Sequence, residues 1–372
     1  MYKRYRLLLV FLVIGGTVVW LLTSMFEAHP TGVAAAVHHE PKRHKADGGE
    51  RCVIPSSATP GRVEHLLGIL TNNRERSLQI PPEDNMVNMV VTFAYMLDIN
   101  REGINRSSLE ERQNEFVDSM WRNLHHERVW SIHILYEQNK HMQYLIKTVM
   151  ERAERRVAAT AIDIPDPDDC SPSLSASAVV VALLKQKVFM TALEDGKVLE
   201  YKRAFEYANH YLSGTLLVVS NSAYLEVVVG LIAWIGNSDI YLGEGWEQLS
   251  VANMKSKSKA YSLTRQEVCS NKRENCAHSV NQRNGGSDCF VVVPPVADHL
   301  LEAMDHPTNV WGAENNVIYQ LSRGGYHVTN PCNVINIIHN HCSGYRPNEA
   351  TVRVNVPNGR RGSGVSRPAS SL

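Results

Sequence analysis

The chain has 372 residues, with 38 Lys+Arg against 38 Asp+Glu and a formal net charge of zero. That length lies above the roughly 250–300 residues at which single hydrophobic cores stop growing, so one large domain with appendages is expected. The balanced charge gives no electrostatic basis for a nucleic-acid partner.

The N-terminus reads MYKRYR and then an apolar run from Leu7 to Phe26, matching the ~20 residues that cross a bilayer. Lys3, Arg4 and Arg6 precede it, so residues 1–6 are expected in the cytosol and everything after Phe26 on the far side, in a Golgi or other secretory-pathway membrane. A cleaved signal peptide is the alternative, since Val33–Ala36 supplies small residues, but the apolar core of a signal is usually only ~7–15 residues. In a lumen the seven cysteines (Cys52, Cys170, Cys269, Cys276, Cys289, Cys332 and Cys342) are disulfide candidates. Their odd number leaves one over, and Cys52, in a stretch poor in core-forming residues, could link two copies into a disulfide-bonded dimer. Asn105-Arg106-Ser107 fits a glycosylation sequon.

Residues 27–80 show no sustained apolar periodicity and read as a flexible stem. The folded part is expected over 81–355, with a disordered tail at 356–372. Asn85–Phe93 has a buried-strand pattern. Ser108 and Glu111 form a capping box before a helix with Phe116, Val117, Met120, Trp121 and Leu124 on one face. Arg128–Tyr136 reads as a strand, a polar helix follows to about Arg155, and Arg156–Ile164 resembles a third strand. The apolar run that follows the Pro/Asp/Ser loop after Ile164 has no assigned element. A helix ending near Leu212 leads into the strand Thr215–Ser220; strands are expected at Ala260–Arg265 and Asp288–Val293, and a helix carrying Ala313, Val317, Ile318 and Leu321 stops at Gly324-Gly325. Strands alternating with helices predict an α/β fold: a mostly parallel sheet covered on both faces.

One segment disturbs this order. Asn-Ser occurs at Asn221 and again at Asn237 around a very apolar stretch, and removing Ala223–Ser238 restores a continuous VVSNSDIYL. Those residues are either an insertion into a strand that ends at a catalytic acid or an extra strand.

Asp239 stands where open α/β sheets bind ligands, beyond the end of a strand and beside Asn237 and Ser238. It suits a metal or ribose contact, or a turn or helix-cap role. Glu314 opens a helix, where a carboxylate could act as general base or simply complement the helix dipole. Asp288, just before a strand, has the same two readings. Near the C-terminus, a strand Val334–His341 would put His339 and His341 on one face. With Cys332 and Cys342 they allow three readings: structural zinc, a Cys332–Cys342 disulfide with one histidine free for a catalytic metal, or a pair of core histidines. His341 lies nearer the polar exit CSGYRP and is favoured as the ligand beside Asp239, with His339 packed inside.

Taken together, RSSLEERQNEFVDSMWRNL, VWSIHILYE, YKRAFEYANHYLSGTLLVVSNS, DIYL, AYSLTRQE, SDCFVV and GAENNVIYQLSRGGYHVTNPCNVINIIHNHCS resemble a group of GT-A-type glycosyltransferase-like proteins over residues 86–347. The resemblance implies transfer of a sugar from a nucleotide-sugar donor to a glycan or glycoprotein acceptor. It further implies a divalent cation, commonly manganese, held by Asp239 with His341 or His339, donor contacts from Phe93, Arg265 and Asn237, and Glu314 as base with Asp288 as the second candidate. A membrane-tethered glycan-binding protein that kept the fold and lost the chemistry is the competing expectation.

Overall fold

The structure is a computed structural model describing residues 58–72, 85–93, 95–99, 105–160, 176–193, 199–213, 231–269, 287–308, 310, 312–345, 354 and 372, with the backbone of the short strands 45–46, 49–50, 215–220, 223–228 and 367–368. Residues 7–26 lie outside this set; among the described residues no helix is long and apolar enough to cross a membrane. The chain divides into two compact units, Met1–Pro55 with Leu216–Val227, and Ser56–Thr215 with Val228–Leu372.

In the first unit β1 (Lys45–Ala46) pairs antiparallel with β2 (Gly49–Glu50). The second unit holds most of the described elements. It opens with α1 (Pro60–Asn72), whose Val63, Leu66, Leu67 and Leu70 recur at helical spacing and are buried, so the folded part begins within the segment expected to be a stem. Then come β3 (Val87–Thr92), α2 (Arg106–His125), β4 (Val129–Tyr136), α3 (Asn139–Thr160), α4 (Ala176–Lys187), β5 (Val188–Ala192) and α5 (Tyr201–Leu212). The short strands β6 (Thr215–Ser220) and β7 (Ala223–Val228), which fall almost wholly in the first unit, form a two-stranded sheet of their own. The chain continues through β8 (Ile232–Gly236), β9 (Ile240–Leu242), α6 (Val251–Ser256), β10 (Lys259–Leu263), β11 (Gln266–Glu267), β12 (Cys289–Val292), α7 (Asp298–Leu301), α8 (Ala313–Arg323), β13 (His327–Asn330), β14 (Ile337–His339) and β15 (Arg367–Pro368).

The main sheet has the order β15-β13-β10-β12-β8-β3-β4-β5. All its pairings are parallel except those of β12, which runs against both β10 and β8. Alternate residues of β3 serve opposite faces. Val87, Met89 and Val91 join a core with residues of α1 to α4, whereas Val90 joins a second core with α5, α7 and α8. The expected α/β class with helices on both faces is therefore present. Strands β3, β4 and β5 step outward in one direction, and β8 then pairs on the other side of β3, so the order reverses between β3 and β8. Crevices at such reversals, beyond the strands' C-terminal ends, are where doubly wound sheets bind ligands.

Several local expectations are corrected. The cap of α2 is Asn105, whose Oδ1 accepts from the Ser107 amide at 3.0 Å, not the Ser108/Glu111 box; Ser108 and Glu111 lie inside the helix. Arg156–Thr160 finish α3, and the third parallel strand is instead β5, from the unassigned apolar run. The C-terminal strand is confined to Ile337–His339, and part of the supposed tail, Arg367–Pro368, pairs with β13.

The repeated Asn-Ser segment contributes a central strand. Within 223–238, β8 is fully inserted between β3 and β12. A Cβ on Gly236 would come within 2.7 Å of the Trp234 indole and 2.8 Å of Cys289 Cβ on the neighbouring β12, so the slot requires glycine at 236. Aligning the two Asn-Ser pairs places Ser220 at that position, where its Cβ would meet Cys289. The extra-strand reading therefore holds for Ile232–Gly236, which fills the centre of the sheet. Deleting Ala223–Ser238 should abolish cooperative unfolding, measured by calorimetry. A deletion variant that melts at or above the parent would show that another segment can fill the slot.

Candidate active site

A second, three-stranded sheet in the order β11-β14-β9 builds the site. The parallel register pairs Glu267 with His339, and the antiparallel register pairs His339 with Ile240. Asp239, the residue before β9, is thereby drawn to His339, and its carbonyl accepts from the Asn340 amide at 2.9 Å. The outer edge of β9 is satisfied by a side chain of α2: Asn123 Nδ2 donates to Ile240 O at 2.9 Å, and its Oδ1 accepts from Leu242 N at 3.0 Å. This clamp fixes α2 over Asp239.

His339 is buried, with Nε2 2.8 Å from Asp239 Oδ2 and Nδ1 2.7 Å from Glu267 Oε2. Burial works against a charged ring, but the two carboxylates outweigh it and raise the histidine pKa, so the imidazolium donates from both nitrogens. Burial likewise opposes ionisation of Asp239, and His339 with Arg112 overcomes it, holding that carboxyl well below its usual range. Glu267 is pulled down to about 2 against its own desolvation by His339 and Arg265.

The ionic chain extends both ways. Arg112 on α2 binds Asp239 Oδ2 through Nη2, and through Nη1 reaches Glu115 at 2.7 Å and Asn340 O at 3.2 Å. Glu115 also accepts from the backbone amides of Cys342 and Ser343. On the other side Arg265 bridges Glu267, at 2.7 Å, and Asp288. Asp288 is buried deeply enough that its pKa rises despite Arg265. Glu314, in the first turn of α8 after Gly312 in the left-handed region (φ 83°), is partly exposed. Burial pushes its pKa up to about 7 against its own backbone N–H, with Asp288 adding to the rise and Arg265 opposing it.

The structure thus joins Asp239, His339, Arg265 and Asp288 in one network, with Glu314 in electrostatic reach of Asp288 and Arg265. The histidine that meets Asp239 is His339, not the favoured His341. The His341 ring lies 5.1 Å from that of His339, its Nε2 lies 3.0 Å from Tyr345 O, and burial lowers its pKa. The exchange follows from the strand being short: β14 ends at His339, so period-two alternation does not extend to residue 341. Asn237 closes the turn into β9, its carbonyl accepting from Ile240 N at 3.3 Å. Phe93 is buried at the end of β3, beside the end of β8. Cys342 is bonded to Cys269, not to Cys332: extending the β11–β14 register past Glu267 and His339 brings residue 269 alongside 341, one position from 342, and the two cysteine Cα atoms lie 5.2 Å apart. Cys332 is itself disulfide-bonded, the free cysteine among the described residues is the buried Cys289, and Cys52 lies outside that set.

Arg112, Glu115 and Glu267 were not among the expected site residues. A signal existed for Arg112: positions 112, 116, 120 and 124 step by four along one side of α2, so the arginine continues the buried stripe of Phe116, Met120 and Leu124 by one turn. Its guanidinium lies 4.6 Å from the Phe116 ring centroid. Glu267 carries no comparable signal, since only the pairing of β11 with β14 gives it a partner.

One carboxylate and one imidazole are donor types that a divalent cation takes, but Asp239 Oδ2 and His339 Nε2 here share a hydrogen bond of 2.8 Å, so a cation binding both would have to displace the Nε2 proton. Glu267 behind the imidazole supplies the carboxylate–histidine support common at metal sites. Among the described residues no group of three or more His, Cys, Asp or Glu is arranged to hold a metal, so the protein offers two donors and any further ones must come from ligand and water.

No family model matches the chain, and no curated protein matches it. Among solved structures, the crystal structure of HddC from Yersinia pseudotuberculosis aligns with 59% of this chain and 81% of its own, at 10% identity and a TM-score of 0.22. That likeness is too distant to bear on the chemistry.

Two measurements test this network. The stabilisation carried by Glu267 is complete above its unfolded value of 4.5 and is lost as pH falls toward about 2. That carried by His339 is complete below 6.5 and is lost as pH rises through its elevated folded pKa. Denaturation of the parent across pH should therefore show the network's full contribution between these limits, and His339→Gln should remove the alkaline loss; an unchanged alkaline limb in that variant would refute the assignment. Separately, the Cys269–Cys342 bond closes a 73-residue separation, for which chain entropy predicts about 4 kcal/mol. Replacing both cysteines by serine should lower the unfolding free energy by that order, read by denaturant titration.

Proposed function

We propose that the protein is a glycosyltransferase that moves a sugar from a nucleotide-sugar donor to a glycan or glycoprotein hydroxyl. The observation that carries this reading is the assembly of an acidic and cationic network beside the reversal of strand order between β3 and β8, with a carboxyl of near-neutral pKa at its margin. Asn237 and Phe93 lie at the C-terminal ends of the adjacent strands β8 and β3, where the nucleoside would sit. Arg112 and Arg265 are the network's guanidinium groups, each paired with carboxylates here and each able to meet the charge that develops on a departing diphosphate. Glu314 is the group suited to take the acceptor's proton: its pKa of about 7 leaves it partly ionised at neutral pH yet basic enough to accept a proton. Asp288, buried and tied to Arg265, is better placed to tune Glu314 than to replace it. A divalent cation such as manganese, held by Asp239 and His339, would supply Lewis-acid stabilisation of the leaving group.

In this reading residues 7–26 anchor the chain in a secretory membrane with its C-terminal part in the lumen, a compartment in which the Cys269–Cys342 disulfide persists. The competing reading, a catalytically silent glycan-binding protein, draws on the engagement of Asp239 by both Arg112 and His339. Donor hydrolysis and transfer, assayed with a panel of UDP- and GDP-sugars and manganese, separates the two: turnover supports the enzyme, and donor binding without turnover supports the silent protein.

Glu314→Gln gives a sharper signature. As a base, Glu314 should be worth ~10²–10⁴-fold in rate. Its raised pKa means that stability is full below the unfolded value of 4.5 and declines as pH rises through about 7. The glutamine variant should therefore lose turnover while melting higher than the parent at pH 8 and no higher at pH 4. A variant that retains activity, or is destabilised at pH 8, would remove Glu314 from the role.

A further inference from the structure

The guanidinium of Arg112 is unevenly used. Its Nη1 is fixed by Glu115 at 2.7 Å and by Asn340 O at 3.2 Å, and its flat face lies 4.6 Å from the Phe116 ring centroid, so the group is tethered on one side. The opposite edge, Nε with Nη2, is the side-on fork that arginine offers to paired oxygens. Here Nη2 holds Asp239, whereas the buried Nε has no hydrogen-bond partner among the described residues. A buried N–H without an acceptor is costly, because it has lost water and gained nothing in exchange. The fork is half filled, and the oxygen that fills it belongs to the carboxylate that would hold a cation.

We propose that Arg112 is an internal stand-in for the cation: it neutralises Asp239 while no cation is bound and, when a divalent ion takes that carboxylate, turns its free Nε–Nη2 edge onto two oxygens of the donor's diphosphate. The inference rests on the nucleotide-sugar reading above and adds a residue that couples cation entry to diphosphate capture. Tethering through Nη1 keeps the charge in the site during the exchange, so the diphosphate meets both the ion and the guanidinium. Glu115 retains the amides of Cys342 and Ser343 throughout, so the exchange leaves no carboxylate unpaired.

Isothermal titration of the full chain with manganese alone, UDP alone, pyrophosphate alone, and UDP or pyrophosphate at saturating manganese tests this in the parent, Arg112→Met and Arg112→Lys. Arg112→Met should bind manganese alone at least about tenfold more tightly, having lost the competing cation, and should bind UDP with manganese ~10–100-fold more weakly, the range expected for charge-assisted hydrogen bonds. Arg112→Lys keeps the charge and loses the fork, so its manganese affinity should stay within about twofold of the parent while UDP weakens at least tenfold. Equal weakening of pyrophosphate and UDP places the contact on the diphosphate, and weakening of UDP alone overturns that placement. Manganese affinity that is unchanged or lower in Arg112→Met overturns the proposal. Should that variant not fold, parent-like UDP binding by Arg112→Lys overturns it instead. A parent that binds no nucleoside diphosphate, with a methionine variant that still gains manganese affinity, refutes the nucleotide-sugar reading while supporting the competition at Asp239.

Discussion

The imidazole of His339, held between Asp239 and Glu267, is the contact on which the rest of the site depends. A buried ionised carboxylate is tolerated only when paired, and removing one member of such a pair costs ~3–5 kcal/mol. Here the pairing propagates as a chain of alternating charge, from Glu115 through Arg112, Asp239, His339, Glu267 and Arg265 to Asp288. Each interior member has an oppositely charged neighbour on both sides. The geometry is consequently over-determined, and its groups are held in place by one another as much as by the backbone.

The two sheets divide the work. The large, mostly parallel sheet sets the place of the network, because its strand order reverses between β3 and β8 and the returning strand delivers Asn237 and Asp239 at its C-terminal end. The small sheet supplies the charged core, aligning Glu267, His339 and Asp239 across β11, β14 and β9. The Cys269–Cys342 bond fastens β11 to the chain beyond β14, and Asn123 fastens β9 to α2. Glu314 stands at the margin, where desolvation raises its pKa to about 7 and no cation among the described residues bonds to it directly. A network that is rigid at its centre and protonically soft at its edge is the arrangement expected where a proton is exchanged with a bound substrate.

The chemistry-bearing residues differed in how far sequence exposed them. Asp239, Asp288 and Glu314 were legible because each sits at an element boundary, after β8, before β12 and at the start of α8, where polar residues stand out against apolar runs. Arg112 lay in the middle of an amphipathic helix, where a charged residue reads as solvent-facing unless its place on the apolar stripe is noticed. Glu267 and the Cys269–Cys342 pairing depended on a two-residue strand, too short to show any period.

By itself the sequence determined the alternation of strands and helices, the two-faced burial of β3 and β4, the polar residues at strand ends and the apolar N-terminal span, all of which follow from local periodicity and composition. Only the tertiary structure decided which strands neighbour one another, and so that Ile232–Gly236 fills the centre of the sheet, that His339 and not His341 meets Asp239, and that Cys342 bonds to Cys269. The reason is physical: periodicity records which face of an element is buried, whereas register and crossover join residues far apart in the chain through backbone hydrogen bonds that every residue type can make.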